Sequence, residues 1–75
     1  MPKLPLIKGK ELAKILIKMG FRPVRQESSH MFFEHSDGRT TVVPVHSNEE
    51  IDRGLLNKII KKDLQATREE FLKYV

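Results

Sequence analysis

Apolar positions along this chain fall into three periodic blocks separated by turn signals. Leu12, Ile15, Leu16 and Met19 recur at helical spacing and Gly20 follows them, which predicts an amphipathic helix from Lys8 to Met19 closed by Gly20. On its far side Lys10, Lys14 and Lys18 form a stripe of positive charge along the helix. After the glycine the pattern changes to a β-type one. Phe21 to Gln26 reads as a short strand, with Pro23 marking its beginning or a sheet edge because proline donates no ladder hydrogen bond. Glu27-Ser28-Ser29 reads as a turn, His30 to His35 as a second strand, and Ser36-Asp37-Gly38 as supplying the Asp-Gly signal of a tight hairpin into a third strand from Arg39 to Val45.

The remainder returns to helical spacing. A polar run, Ser47 to Glu50, precedes a second helix starting near Asp52 or Arg53 and carrying Leu55, Leu56, Ile59 and Ile60 inward. Gly54 sits in its first turn, and Lys58, Lys61 and Lys62 load its last, where the carbonyl end of the helix favours cations. Thr67 and Glu70 have capping-box spacing and open a short terminal helix that docks Phe71 and Leu72. The order helix, three consecutive strands, helix, short helix predicts an α+β fold of two layers, an antiparallel sheet covered on one face. In the second strand His30, Phe32 and Glu34 alternate with Met31, Phe33 and His35, and the pattern does not choose which set faces the helices.

Composition narrows the chemistry. With 75 residues, residues 1–75 are expected to form one domain with one modest core and a shallow site, leaving little room to enclose a cofactor. Absence of cysteine removes disulfides, thiolate metal sites and cysteine nucleophiles. The opening residues lack the apolar core of a signal peptide and no apolar run approaches bilayer length, so a cytoplasmic location away from membranes is expected. Fourteen Lys and Arg against ten Asp and Glu give a net charge of +4, a bias that suits polyanionic partners and equally an ordinary solvated surface.

Histidine is the side chain able both to accept and to donate a proton near neutral pH, so the three histidines are the first candidates for chemistry. His30 opens a strand just after a serine-containing turn, where its imidazole would project at a sheet rim. His46 ends the third strand and could share acid and base duties or simply bond to backbone. His35 points to the face opposite His30, so the two would not ligate one metal, and no metal-ligand spacing is present. The four glycines are isolated, which removes phosphate-cradling loops and nucleophile elbows. Phe32 and Phe33 could stack on bases, although aromatics on a small sheet are more often core.

The ordered series Glu11-Leu12, Gly20-Phe21, Val24-Arg25-Gln26, Ser29-His30, Asp37-Gly38-Arg39 and Val43-Pro44-Val45-His46 resembles the HicA toxins of bacterial and archaeal toxin–antitoxin systems, from Lys8 to about Phe71. That resemblance implies a fold like a double-stranded-RNA-binding domain, ribonuclease activity on messenger RNA that halts translation, no cofactor, and neutralisation by a HicB-like antitoxin. It also implies that the catalytic histidine falls on His30. Lys10, Lys14, Arg25, Ser28 and Ser29 are then the expected RNA-contacting residues, and no metal is expected. Family members commonly carry Gly-Ser-His where this chain has Ser28-Ser29-His30, a loss of backbone freedom at the turn. The alternative is a non-catalytic RNA-binding module of the same fold. Against it, Asp52-Arg53-Gly54-Leu55 stands where duplex binders carry a basic cluster, the basic residues coming later.

Overall fold

The computed structural model describes residues 5–45 and 50–75. His46 and residues 47–49 therefore lie outside the described residues. Helix α1 spans Gly9–Lys18, with the flanking Lys8 and Met19 as its caps. Leu12, Ile15 and Leu16 are buried while the lysine stripe is exposed, so the apolar spacing sets the helix's orientation. Lys8 is extended, and its backbone N–H donates to Glu11 Oε1 at 3.1 Å, satisfying one amide that the helix itself leaves open.

Three strands follow: β1 (Phe21–Glu27), β2 (His30–His35) and β3 (Thr40–Pro44), antiparallel in the order β1-β2-β3. Glu27 pairs with His30, so the first connection is the two-residue turn Ser28-Ser29 and Glu27 belongs to the strand rather than to the turn expected from the sequence. The second connection is the Ser36-Asp37-Gly38 turn expected from the sequence, closed as a three-residue loop. Gly38 N donates to His35 O at 2.9 Å and His35 N to Arg39 O at 2.8 Å, leaving Ser36, Asp37 and Gly38 in the loop. Gly38 has φ +98, the left-handed residue that this three-residue loop requires. Asp37 accepts from Arg39 N at 3.0 Å and from Arg39 Nε at 2.7 Å, fastening the loop to the start of β3.

Register in β1 breaks once. Pro23 pairs with Phe33 but Arg25 pairs with Phe32, which leaves Val24 as an extra, bulged residue. Beyond the bulge the alternation is inverted. Arg25 and Glu27 therefore share a face with Phe32 and His30, and Gln26 turns to the other side with Met31. Pro23 lies in an edge strand, as its missing N–H demands.

The helices cover the face that carries Phe33. Phe21, Phe33, Val43 and the small polar Thr41 are buried there, with Met31 packed against the same cluster, so Met31, Phe33 and His35 point inward and His30, Phe32 and Glu34 outward. Helix α1 lies across β1 and β3. Its first residue, Gly9, approaches β3 so closely that a Cβ there would sit 1.9 Å from the Pro44 carbonyl oxygen. Helix α2 spans Arg53–Lys58 and is capped by Asp52, whose carboxylate accepts from the N–H groups of Gly54 (2.9 Å) and Leu55 (3.3 Å). It continues into a π turn over Ile59–Asp63, a feature with no sequence forewarning, in which Leu64 N donates to Ile59 O. The widened turn ends beside β3. Asp63 accepts from the buried Thr41 hydroxyl at 2.9 Å, and Arg39 Nη1 donates to the Leu64 carbonyl, so two polar links join sheet to helix at the rim of an apolar core. Helix α3 (Arg68–Leu72), capped by Thr67, seals the core with Phe71.

Gly9→Ala should cost about 1–3 kcal/mol, because helix and strand must separate to admit the methyl group; a urea unfolding midpoint checks it. The Asp37 carboxyl is held below its usual value near 3.8, first by the Arg39 backbone N–H and then by the guanidinium and imidazole charges nearby. A depressed carboxylate contributes stability above its unfolded pKa and loses it as pH falls through the folded one. The gap in urea midpoint between wild type and Asp37→Asn should accordingly be full at neutral pH and shrink as pH drops below 3.8.

Candidate active site

The two described histidines have opposite circumstances. His35 is packed into the fold: its ring meets Phe21 edge-on with centroids 5.0 Å apart, and its Nδ1 lies 3.2 Å from both the Asp37 N–H and Asp37 Oδ1. A Cβ on Gly20 would come within 2.8 Å of its Nε2. This histidine fastens the second hairpin to the end of α1. His30 is exposed on the open face of the sheet, and its imidazole makes no hydrogen bond or ion pair with the described residues.

His30 is placed by three contacts of the backbone around it. It pairs with Glu27 on one side and Pro44 on the other, and the carbonyl of Ser29 accepts from Val45 N at 2.8 Å, tying the turn to the end of β3. Because Pro44 is also the residue on which Gly9 rests, the N-terminus of α1 and His30 lie at the same end of the molecule. Ser28 has φ 54, the left-handed region, and is the first central residue of the turn. Positive φ at that position alone is the pattern of a type II′ hairpin, which favours glycine there.

The candidate RNA-contacting residues separate into two groups. Arg25 shares the open face with His30, and Ser28 and Ser29 form the turn that precedes it. Lys10 stands beside Gly9 at the His30 end of α1, whereas Lys14 is one turn farther along and lines a groove with Tyr74 and Val75. Arg25 does two things at once. Its guanidinium lies over the Phe32 ring, 4.4 Å from the centroid, and its Nη1 is 3.4 Å from Glu27 Oε1. A second exposed pair, Arg22 with Glu34 at 3.4 Å, flanks the ring on the same face. Such exposed pairs contribute little to stability and exchange partners readily. Phe32 was weighed in the sequence chiefly as core. The bulge at Val24, which no residue pattern announces, is what sets Arg25 upon it.

Among the described residues no three His, Asp or Glu side chains are grouped so that they could hold a metal ion, and no helix is long and apolar enough to cross a membrane. What the open face offers is the exposed His30 imidazole and, two residues along, an aromatic ring with a guanidinium over it, a set suited to general acid–base chemistry beside an anion.

The sequence model of the family described as the HicA toxin of bacterial toxin–antitoxin systems matches residues 9–64, three quarters of the chain and every element that builds this face. No curated protein matches the chain. The glycine common in that family at the position of Ser28 fits the backbone found here. Ser28→Gly should raise stability by about 0.5–1 kcal/mol by removing left-handed strain that a Cβ imposes, read as a higher urea midpoint with unchanged fold.

Proposed function

Since the chain belongs to the HicA toxin family of bacterial toxin–antitoxin systems, we propose that it is a metal-independent endoribonuclease of the cytoplasm that cleaves messenger RNA and inhibits translation, and that a HicB-like antitoxin neutralises it. His30 is the acid–base residue. Its imidazole takes the proton from a 2′-hydroxyl as that oxygen attacks phosphorus, or returns a proton to the leaving 5′-oxygen. Arg25 neutralises charge developing on the phosphate oxygens, while the N–H and hydroxyl groups of Ser28 and Ser29 border the same phosphate, and Lys10 and Lys14 draw the flanking strand in from α1.

The observation that carries this reading is the contrast between the two described histidines. His35 is engaged by Phe21 and Asp37 in holding the hairpin, and His30 is exposed on the same sheet face as the Arg25 guanidinium, its imidazole without a hydrogen bond or ion pair among the described residues. Toxin-family membership makes an antitoxin partner part of the system; an exposed proton-transfer group is what such a partner has to cover.

Removing the imidazole should cost at least about 100-fold in cleavage rate, the lower range for a positioned acid–base group. Wild type and His30→Ala are compared on a long RNA in the presence of EDTA, with circular dichroism to verify folding. Undiminished cutting by the folded variant would end the role given to His30, and loss of wild-type cutting in EDTA would end metal independence.

A further inference from the structure

Phe32 is the large side chain of the sheet that the core does not use. It stands on the open face, two residues beyond His30 on the same strand, so the two side chains rise about 6.7 Å apart. That separation is close to one nucleotide step of an extended single strand. The Arg25 guanidinium lies on the ring, and Val24 and Val42, 50% and 38% exposed, extend the apolar floor of a shallow groove of about 470 Å³. Glu34 and Thr40 close its far end with an acceptor and a hydroxyl.

We propose that this groove is a base-stacking subsite for single-stranded RNA, in which one unpaired base adjoining the scissile phosphate lies on the Phe32–Arg25 platform. The inference rests on the ribonuclease reading of His30 and adds to it the form of the substrate. Aromatic faces and stacked guanidinium groups hold bases of any identity, and splayed single strands present those bases where a duplex does not. Arg25 serves both parts of the nucleotide. Its plane stacks on the ring while its N–H edge, now facing Glu27, is free to exchange that carboxylate for a phosphate. The Glu34 carboxylate at the end of the groove accepts from a base amino group.

The arrangement of this face selects RNA over a protein segment. The imidazole and the ring stand one nucleotide step apart on β2, with the guanidinium laid over the ring from β1, and on the β1 edge Pro23 and the bulge obstruct the strand addition by which a peptide would extend this sheet. The lysines of α1 lie on the other layer and reach phosphates, not bases, so the platform is the part of the molecule that distinguishes unpaired from paired RNA.

The test uses full-length His30→Ala protein, which binds without cutting, titrated with a short unstructured oligoribonucleotide and followed by NMR. Resonances of Val24, Arg25, Phe32 and Val42 should move. Phe32→Ala in that background should weaken binding roughly tenfold, the loss typical of one stacked base, while Phe32→Tyr retains affinity. Phe32→Leu, which keeps apolar bulk without a ring, should bind like the alanine variant, separating stacking from simple packing. An RNA duplex of equal length should be indifferent to all three. Equal affinity of Phe32→Ala and its parent for the single strand, or shifts confined to the α1 lysines, would overturn the subsite. So would a sheet face that responds to an antitoxin but not to RNA. The two readings fail separately: a wild type that never cuts RNA but binds it through Phe32 loses the enzyme and keeps the platform. A wild type that cuts, with Phe32→Ala equally efficient at subsaturating RNA, loses the platform and keeps the enzyme.

Discussion

Two adjacent phenylalanines on the middle strand of a three-stranded sheet cannot both enter one core, and this constraint organises the molecule. Phe33 goes inward, 1% exposed, among Leu12, Leu16, Leu56, Ile60, Leu64 and Phe71. Burial of one such side chain is worth about 1.5–3 kcal/mol, a large share of the net stability of a small domain. Once Phe33 is committed, alternation leaves no choice for its neighbours: His30 and Phe32 must face away from the helices. The face that cannot be buried is thus the face on which an imidazole and a ring stand together.

The remaining structure holds that arrangement in place. Gly9 lets α1 rest on the Pro44 carbonyl, and Pro44 is the cross-strand partner of His30. At the opposite end His35, Asp37 and Arg39 secure the second hairpin, and Arg39 reaches on to Leu64. The buried Thr41 hydroxyl is paired with Asp63, whereas the buried Asn57 Oδ1 has no hydrogen-bond partner among the described residues. The two ends of the strand pair therefore have different duties. One is fastened by side chains, and at the other the His30 imidazole is exposed and without a partner among the described residues.

Much of this was legible in the chain, and what was not has identifiable causes. Periodicity located α1, the start of α2 at Asp52 and the Thr67 cap, because those signals are local and each concerns one turn of helix. The choice of sheet face was open because both faces of β2 carry a phenylalanine; it was decided by Phe21 and Val43 on the neighbouring strands, a non-local fact. The first turn was read one residue too long, since Glu27 is a polar residue that can stand in an exposed edge strand as easily as in a loop. The second hairpin was legible at its full length, Ser36 to Gly38, because Asp-Gly is a local turn signal. The π turn gave no sign because Ile59, Ile60, Lys61 and Lys62 fit an ordinary helix. Of the site, His30 was legible from position and family resemblance, whereas Phe32 was not, since its availability depends on pairing.

The bulged Val24 carries a consequence for how chains of this kind compare with one another. Because it stands outside the alternation, the residues on either side of it keep their faces whether or not it is present. A relative lacking one residue here would carry a regular strand and still set its counterparts of Arg25 and Glu27 opposite those of Phe32 and His30. An alignment would show a gap in the middle of β1, the kind of gap usually taken to break a strand. Here such a gap preserves the surface, and a gap-free match through this segment would be the one to misassign it.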